Sequence, residues 1–272
     1  MSESKVVVPE LDNKKVEREI VQFIKKIVKE AKVNGIVLGL SGGVDSSLVA
    51  VLCVNALGKD RVLGIILPVN FTPKKDIQDA RELAKKLGIA TLTIDLEDLY
   101  QSFIQTLKFN KKVKKDKIPL ANALARIRMT ILYFYANLRR LLVAGTSDRS
   151  EILLGFFTKY GDGGADFLPI AHLYKTQVRK LAEHVNVPRK IAYKPSSPRL
   201  YPGHKATDEL PLDYEQLDPV LVGLFDENLS NNEITRLTNV PLSIIKEVKR
   251  RFNISKHKRA FPPMLKPPMQ RD

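Results

Sequence analysis

Residues 35–52 read GIVLGLSGGVDSSLVAVL. An apolar run stops at Ser41-Gly42-Gly43, a carboxylate and two hydroxyls follow at Asp45, Ser46 and Ser47, and apolar residues then resume. The first run, residues 36–40, is short and aliphatic, as in a strand buried on both faces. The second, 47–57, closes at Gly58 and is long enough for a helix. A buried strand that enters a helix through two glycines restricts the fold sharply. It predicts an α/β chain with an open parallel sheet and helices on both faces. A C-terminal extension of helices and loops completes the expectation.

The neighbouring segments continue the alternation. Residues 14–32 carry Val16, Ile20, Phe23, Ile24, Ile27 and Val28 at helical spacing. RVLGIILPV, ATLTID and LLVAGT read as strands, and 76–87, 122–140, 175–185 and 243–252 as helices. On the helix of 122–140, Leu124, Ile127, Ile131, Phe134, Tyr135 and Leu138 are expected to form the apolar side. Arg126 falls opposite, and Arg128 at the edge, as a partly buried structural ion pair. No repeat and no linker interrupts the chain, which predicts one domain over 1–272. Within it, 1–13 is poorly defined and 260–272 is a proline-rich, extended tail.

In open parallel sheets ligands bind beyond the carboxyl ends of the strands. The stretch Gly39, Leu40, Ser41, Gly42, Gly43, Val44, Asp45 and Ser46 lies at such an end. Two glycines admit backbone N–H groups to an anion, and the helix start adds positive potential. Ser41, Ser46 and Ser47 add hydroxyls. An ordinary strand–helix turn with a Ser or Asp cap explains one of these residues, not all of them. The lysine of a GxxxxGK[ST] loop is missing. Asp45 would repel phosphate unless a cation lies between, so it is expected to carry Mg²⁺.

Composition narrows the surroundings. The chain has 272 residues, 44% of them apolar, and no run of roughly 18 apolar residues that would span a membrane. Its N-terminus lacks a secretory pattern. The single cysteine, Cys53, allows no internal disulfide and no thiol metal cluster. A cytoplasmic location is the expectation. The net charge of +15 favours anionic partners, whether nucleic acid or phosphate-rich small molecules.

SGGxDS resembles the pyrophosphate loop of the ATP-pyrophosphatase superfamily, with its adenine-nucleotide α-hydrolase-like sheet. NALARIRM, GTSDRSE, GFFTKYGDGGADFLPI, LYKTQVRKLA, YKPSS, DELPLDYEQLD and SKHKR are similar, in that order, to the NAD synthetase family. The resemblance covers about residues 15–263. It implies ATP-dependent amidation of deamido-NAD to NAD through an adenylated nicotinate, with release of AMP and pyrophosphate. It also implies Mg²⁺ on Asp45 and Glu151. The matching ATP contacts are the loop with Thr146, Lys175 and Ser196, the last standing where the family usually has Thr. Those for deamido-NAD are Arg126, Lys159, Asp166, His257 and Lys258. The resemblance implies a homodimer, to which Tyr133, Phe134 and Tyr135 would contribute, although core packing explains this apolar face equally well.

Without the resemblance, Glu151 reads as an exposed first-turn glutamate, Lys175 as a solvated helix-start lysine, and SKHKR as a solvated basic run. Gly161, Gly163 and Gly164 are expected in a mobile lid that excludes water. His172, His184 and His204 read as structural or surface residues. The six lysines of 108–117 read as an unstructured loop. Cys53 inside an apolar helix is no glutaminase nucleophile, so free ammonia is the expected nitrogen source. A lysidine-forming tRNA-modifying relative is the alternative enzyme, although it lacks the TKYGD block. A nucleotide-binding module without catalysis is disfavoured by Asp45 and Glu151.

Overall fold

The computed structural model describes residues 5–107 and 117–265. Four strands form one sheet: β1 (Gly35–Gly39), β2 (Val62–Ile66), β3 (Ala90–Thr93) and β4 (Leu141–Val143). Their spatial order is β3-β2-β1-β4 and every pairing is parallel. Register is set by Val37 opposite Leu63 on one side and Val143 on the other. β1 and β2 are buried almost throughout, as their aliphatic runs require, while β3 is a largely exposed edge.

Helices cover both faces. α1 (Asn13–Glu30), α2 (Val44–Leu57), α3 (Lys74–Leu87) and α7 (Lys175–His184) share one core with β1 and β2. Cys53 lies inside it, fully buried, its thiol pushed up to about 12 by desolvation. On the other face α4 (Glu97–Thr106) and α5 (Lys117–Arg139) pack over Val37, Leu63, Ile65 and Val143. α6 (Arg149–Leu154) follows β4, and the short α8 (Arg189–Ala192) follows α7. A third core joins α9 (Tyr214–Phe225), α10 (Asn231–Thr238) and α11 (Leu242–Ile254).

Several expectations change. α5 begins at Lys117, with Pro119 in its first turn, where a missing N–H costs no helical bond. Its buried side is Ala121, Leu124, Ala125, Met129, Leu132 and Ala136, whereas Phe134 and Leu138 are 61% and 64% exposed. The stripe is rotated because three small alanines, not the bulkiest residues, face the sheet. That rotation brings Arg128 inward. It forms no ion pair with a described carboxylate and donates instead to the Leu67 carbonyl at 3.2 Å. Burial draws its guanidinium down to about 10, with Asp162 opposing.

Residues 6–9, within the segment expected to be poorly defined, are packed against the fold. Val6 is buried in the C-terminal core, and the Gln177 side chain donates to the Pro9 carbonyl at 2.9 Å. The basic segment 108–116 and the tail beyond 265 lie outside the described residues. Lys117 sits over the Tyr201 ring. His204 is buried against Tyr201 and Glu209, and His184 faces Glu17, both in structural roles.

Candidate active site

The sheet order reverses between β1 and β4, so the loops that leave their carboxyl ends diverge and open a crevice. The β1 loop enters α2 through Gly43, and no side chain caps that helix. The start of α2 is therefore left to other acceptors. Gly42 has φ +74°, and a Cβ there would stand 2.2 Å from the Asp76 carbonyl oxygen. The loop's shape is fixed by its own hydroxyls. Ser46 Oγ accepts from the Ser41 amide at 3.2 Å, lies 3.0 Å from Ser41 Oγ and donates to the Gly43 carbonyl. Ser47 departs from expectation, being 1% exposed with a hydroxyl that has no partner.

A cavity of about 280 Å³ opens on this loop. Gly39, Leu40, Ser41, Gly43, Val44, Asp45 and Ser46 line it, with Thr146, Glu151 and Ser196. Ile65, Ile66, Leu67 and Ile77 supply an apolar wall, and Arg128 reaches it from α5. Ser196 Oγ is buried and has no partner. The stretch that carries it is tied to the loop by Lys194. This ammonium donates to the Gly42 carbonyl at 2.7 Å, to Asp76 at 3.0 Å and to Asp79 at 2.5 Å. Sequence reasoning passed over Lys194, because a lysine in YKPSS carries no helical or strand signal of burial.

Lys175 corrects the solvated reading most clearly. It is fully buried at the start of α7, where its ammonium meets Asp45 at 2.7 Å, Asp148 at 2.8 Å and Glu151 at 3.0 Å. Its position lies behind the carboxylates and outside the cavity lining. Burial works against the lysine's charge, but the three carboxylates overcome it and hold its pKa well above the usual lysine range. Burial pushes Asp148 up to about 6 and Glu151 well above the carboxylate range, with Lys175 opposing both. Asp148, another omission, also caps α6 by accepting from the Glu151 amide at 2.8 Å. It thereby aims the first turn that carries Glu151.

No cluster of three or more metal-ligating side chains occurs among the described residues. Asp45 and Glu151 nonetheless converge on one ammonium, and three carboxylates surround a single lysine. Asp45 and Glu151, both in the cavity wall, are hard oxygen donors of the kind that suit Mg²⁺.

A second cavity of about 950 Å³ adjoins the first, with Met129 and Ser147 in both walls. Lys159 and Lys258 line it. Arg126 donates to the Lys159 carbonyl at 3.2 Å, and the Lys159 ammonium to the His257 carbonyl at 2.6 Å. Lys258 donates to the carbonyls of Gly155 and Phe157, both at 2.8 Å. Four of the five residues matched to deamido-NAD are thus contiguous, although Arg126 and His257 stand outside the lining. Asp166 is engaged elsewhere, accepting from Tyr133 Oη at 3.1 Å and the Val143 amide at 2.7 Å. The glycines of 161–164 are closely packed. None has positive φ, and a Cβ on Gly163 would stand 2.4 Å from the Phe157 ring. Close packing calls for Gly161 and Gly163, where a Cβ would stand under 3.0 Å from a neighbour.

A doubly wound sheet with a glycine-lined anion loop, converging carboxylates and an adjoining basic cavity defines a nucleotide-phosphate-binding α/β protein. Comparison with known proteins is more specific. The NAD synthase family profile matches residues 16–262. The NH(3)-dependent NAD(+) synthetase of Hyperthermus butylicus is 48% identical over 255 residues, which cover 93% of this chain and 91% of the relative. That of Staphylothermus marinus is 47% identical, over 92% and 90%. Among solved structures, the NH3-dependent NAD synthetase of Campylobacter jejuni superposes with a TM-score of 0.77 at 32% identity, covering 94% of this chain and all of the other. An NMN synthetase from Francisella tularensis superposes with a TM-score of 0.81 at 31% identity, over 95% and 100%. The chain belongs to the NAD synthase family.

Proposed function

We propose that the protein converts deamido-NAD to NAD, using ATP and ammonia and releasing AMP and pyrophosphate. The observation that carries this reading is the pair of adjoining cavities. One is bounded by the glycine loop with Asp45 and Glu151, the other by Lys159 and Lys258. Two anionic substrates would lie side by side, so that a nicotinate oxygen reaches the α-phosphorus of ATP.

In this reading the backbone of Ser41, Gly42 and Gly43 and the start of α2 receive the phosphates to be released. Thr146 and the unpartnered Ser196 hydroxyl contact the nucleotide, and Lys175 holds the carboxylates in register from behind. Lys159 and Lys258 position the dinucleotide, with Arg126 and His257 bonded to Lys159 behind the lining and Asp166 held by Tyr133 and the Val143 amide. Asp45 and Glu151 would hold Mg²⁺, which when bound neutralises charge on the departing pyrophosphate. The protein contributes alignment and electrostatics, and no general base is assigned.

Ammonia as nitrogen donor is supported by the chain's single cysteine. Cys53 is fully buried and its thiol stays protonated, so it cannot act as a glutaminase nucleophile. We assign the protein to the cytoplasm. No helix among the described residues is long and apolar enough to cross a membrane. A single functional domain and a homodimer complete the reading. Phe134 and Leu138, exposed one turn apart on α5, supply an apolar surface for the second copy.

The test is steady-state formation of NAD and AMP by purified protein with deamido-NAD, ATP, Mg²⁺ and ammonium. Equal amounts of NAD, AMP and pyrophosphate are expected, with no NAD when glutamine replaces ammonium. Absence of NAD under the ammonium condition would refute the assignment.

A further inference from the structure

Tyr214 opens α9 directly after its cap, Asp213. It is 3% exposed and lies in the wall of the nucleotide cavity, alongside Asp45 and Glu151. Its ring faces the Lys175 ammonium at 5.3 Å and Arg179 at 6.0 Å. Its hydroxyl is buried and makes no hydrogen bond. Other tyrosines behave differently. Tyr100 donates to the Leu120 carbonyl, Tyr133 to Asp166 and Tyr174 to Asp226.

A buried hydroxyl left without a partner carries its desolvation penalty uncompensated. Phenylalanine would pack against Lys175 with the same ring and without that penalty. A hydroxyl kept in the wall of a ligand cavity therefore calls for a partner that arrives with the ligand. Beside the glycine loop, the expected newcomer is a phosphate oxygen, which is an acceptor only. Burial, with the nearby carboxylates, holds the phenol's pKa well above its usual value, so it stays a donor. Lys175 opposes that shift without reversing it.

We propose that Tyr214 is a further substrate-contacting residue, its hydroxyl donating to a phosphate oxygen of ATP bound in this cavity. The proposal shares with the functional reading only the premise that ATP occupies the site.

Tyr214→Phe removes one oxygen and leaves the packing. Calorimetric titration with Mg-ATP, melting curves with and without Mg-ATP, and steady-state kinetics separate the alternatives. The variant should melt in the absence of nucleotide at or slightly above the wild-type temperature. Its affinity for Mg-ATP should fall roughly tenfold to hundredfold, the loss of one hydrogen bond to a charged group. The KM for deamido-NAD should stay unchanged. Wild-type affinity and an undiminished nucleotide-induced shift would overturn the proposal. A lowered melting temperature without nucleotide, with affinity retained, would also overturn it, by assigning the hydroxyl to folding. Wild-type protein that binds Mg-ATP but makes no NAD would refute the functional reading and leave Tyr214 standing.

Discussion

At Gly42 the backbone turns with φ +74° and the Asp76 carbonyl closes off the space a side chain would need. Both constraints act on the loop that would receive the phosphates. Gly42→Ala therefore strains the turn by on the order of 1–3 kcal/mol and displaces neighbouring amides. The KM for ATP should rise at least about tenfold. A variant with wild-type ATP kinetics would show that the turn is not shaped for phosphate. The glycines, Asp45 and the serines were legible in the sequence because small and polar residues interrupt an apolar run there. Lys175 was singled out only through the family motif, without its buried carboxylate partners, and Asp148 not at all. Their roles depend on a buried contact between α7 and the β4 loop, and local sequence does not record which lysine meets which carboxylate across the fold. Asp166 shows the opposite case, a motif residue whose two oxygens are both engaged within the chain.

Elements meet at the phosphate loop through Lys194, which bridges the segment bearing Ser196, the Gly42 carbonyl and two buried aspartates of α3. Arg199 adds a second tie to Asp76 at 2.8 Å, and Lys190 a second to Asp79 at 3.0 Å. Lys194→Ala leaves Asp76 and Asp79 each with one remaining cation and frees the Gly42 carbonyl. Loss of one partner from a buried pair costs about 3 kcal/mol. The melting temperature should fall and the KM for ATP should rise, with Lys194→Arg restoring part of both. Unchanged stability and ATP kinetics in the alanine variant would remove Lys194 from the account. The strands and the helices α1, α2 and α3 were readable from their hydrophobic periods and the breaks that bound them, whereas α4 went unread. The buried side of α5 was misjudged where alanines pack. α9 went unread because Pro219 lies within it, and a proline past the first turn removes one helical N–H bond and argues against a helix.

For the whole molecule, the reversal of strand order between β1 and β4 places the two cavities side by side. The helices of the other face carry exposed apolar residues away from the sheet. If Phe134 and Leu138 meet a second copy, Phe134→Glu should shift the protein from dimer to monomer in sedimentation velocity. A wild-type protein that sediments as a monomer would eliminate the proposed interface. The order of chemical steps is tested most directly by a single turnover with deamido-NAD, Mg²⁺ and ATP labelled at the α-phosphate, ammonium being withheld. The account predicts one pyrophosphate released per site, with the label held as adenylated deamido-NAD until ammonium is added and NAD and AMP form. Labelled ADP in place of the adenylate would contradict it.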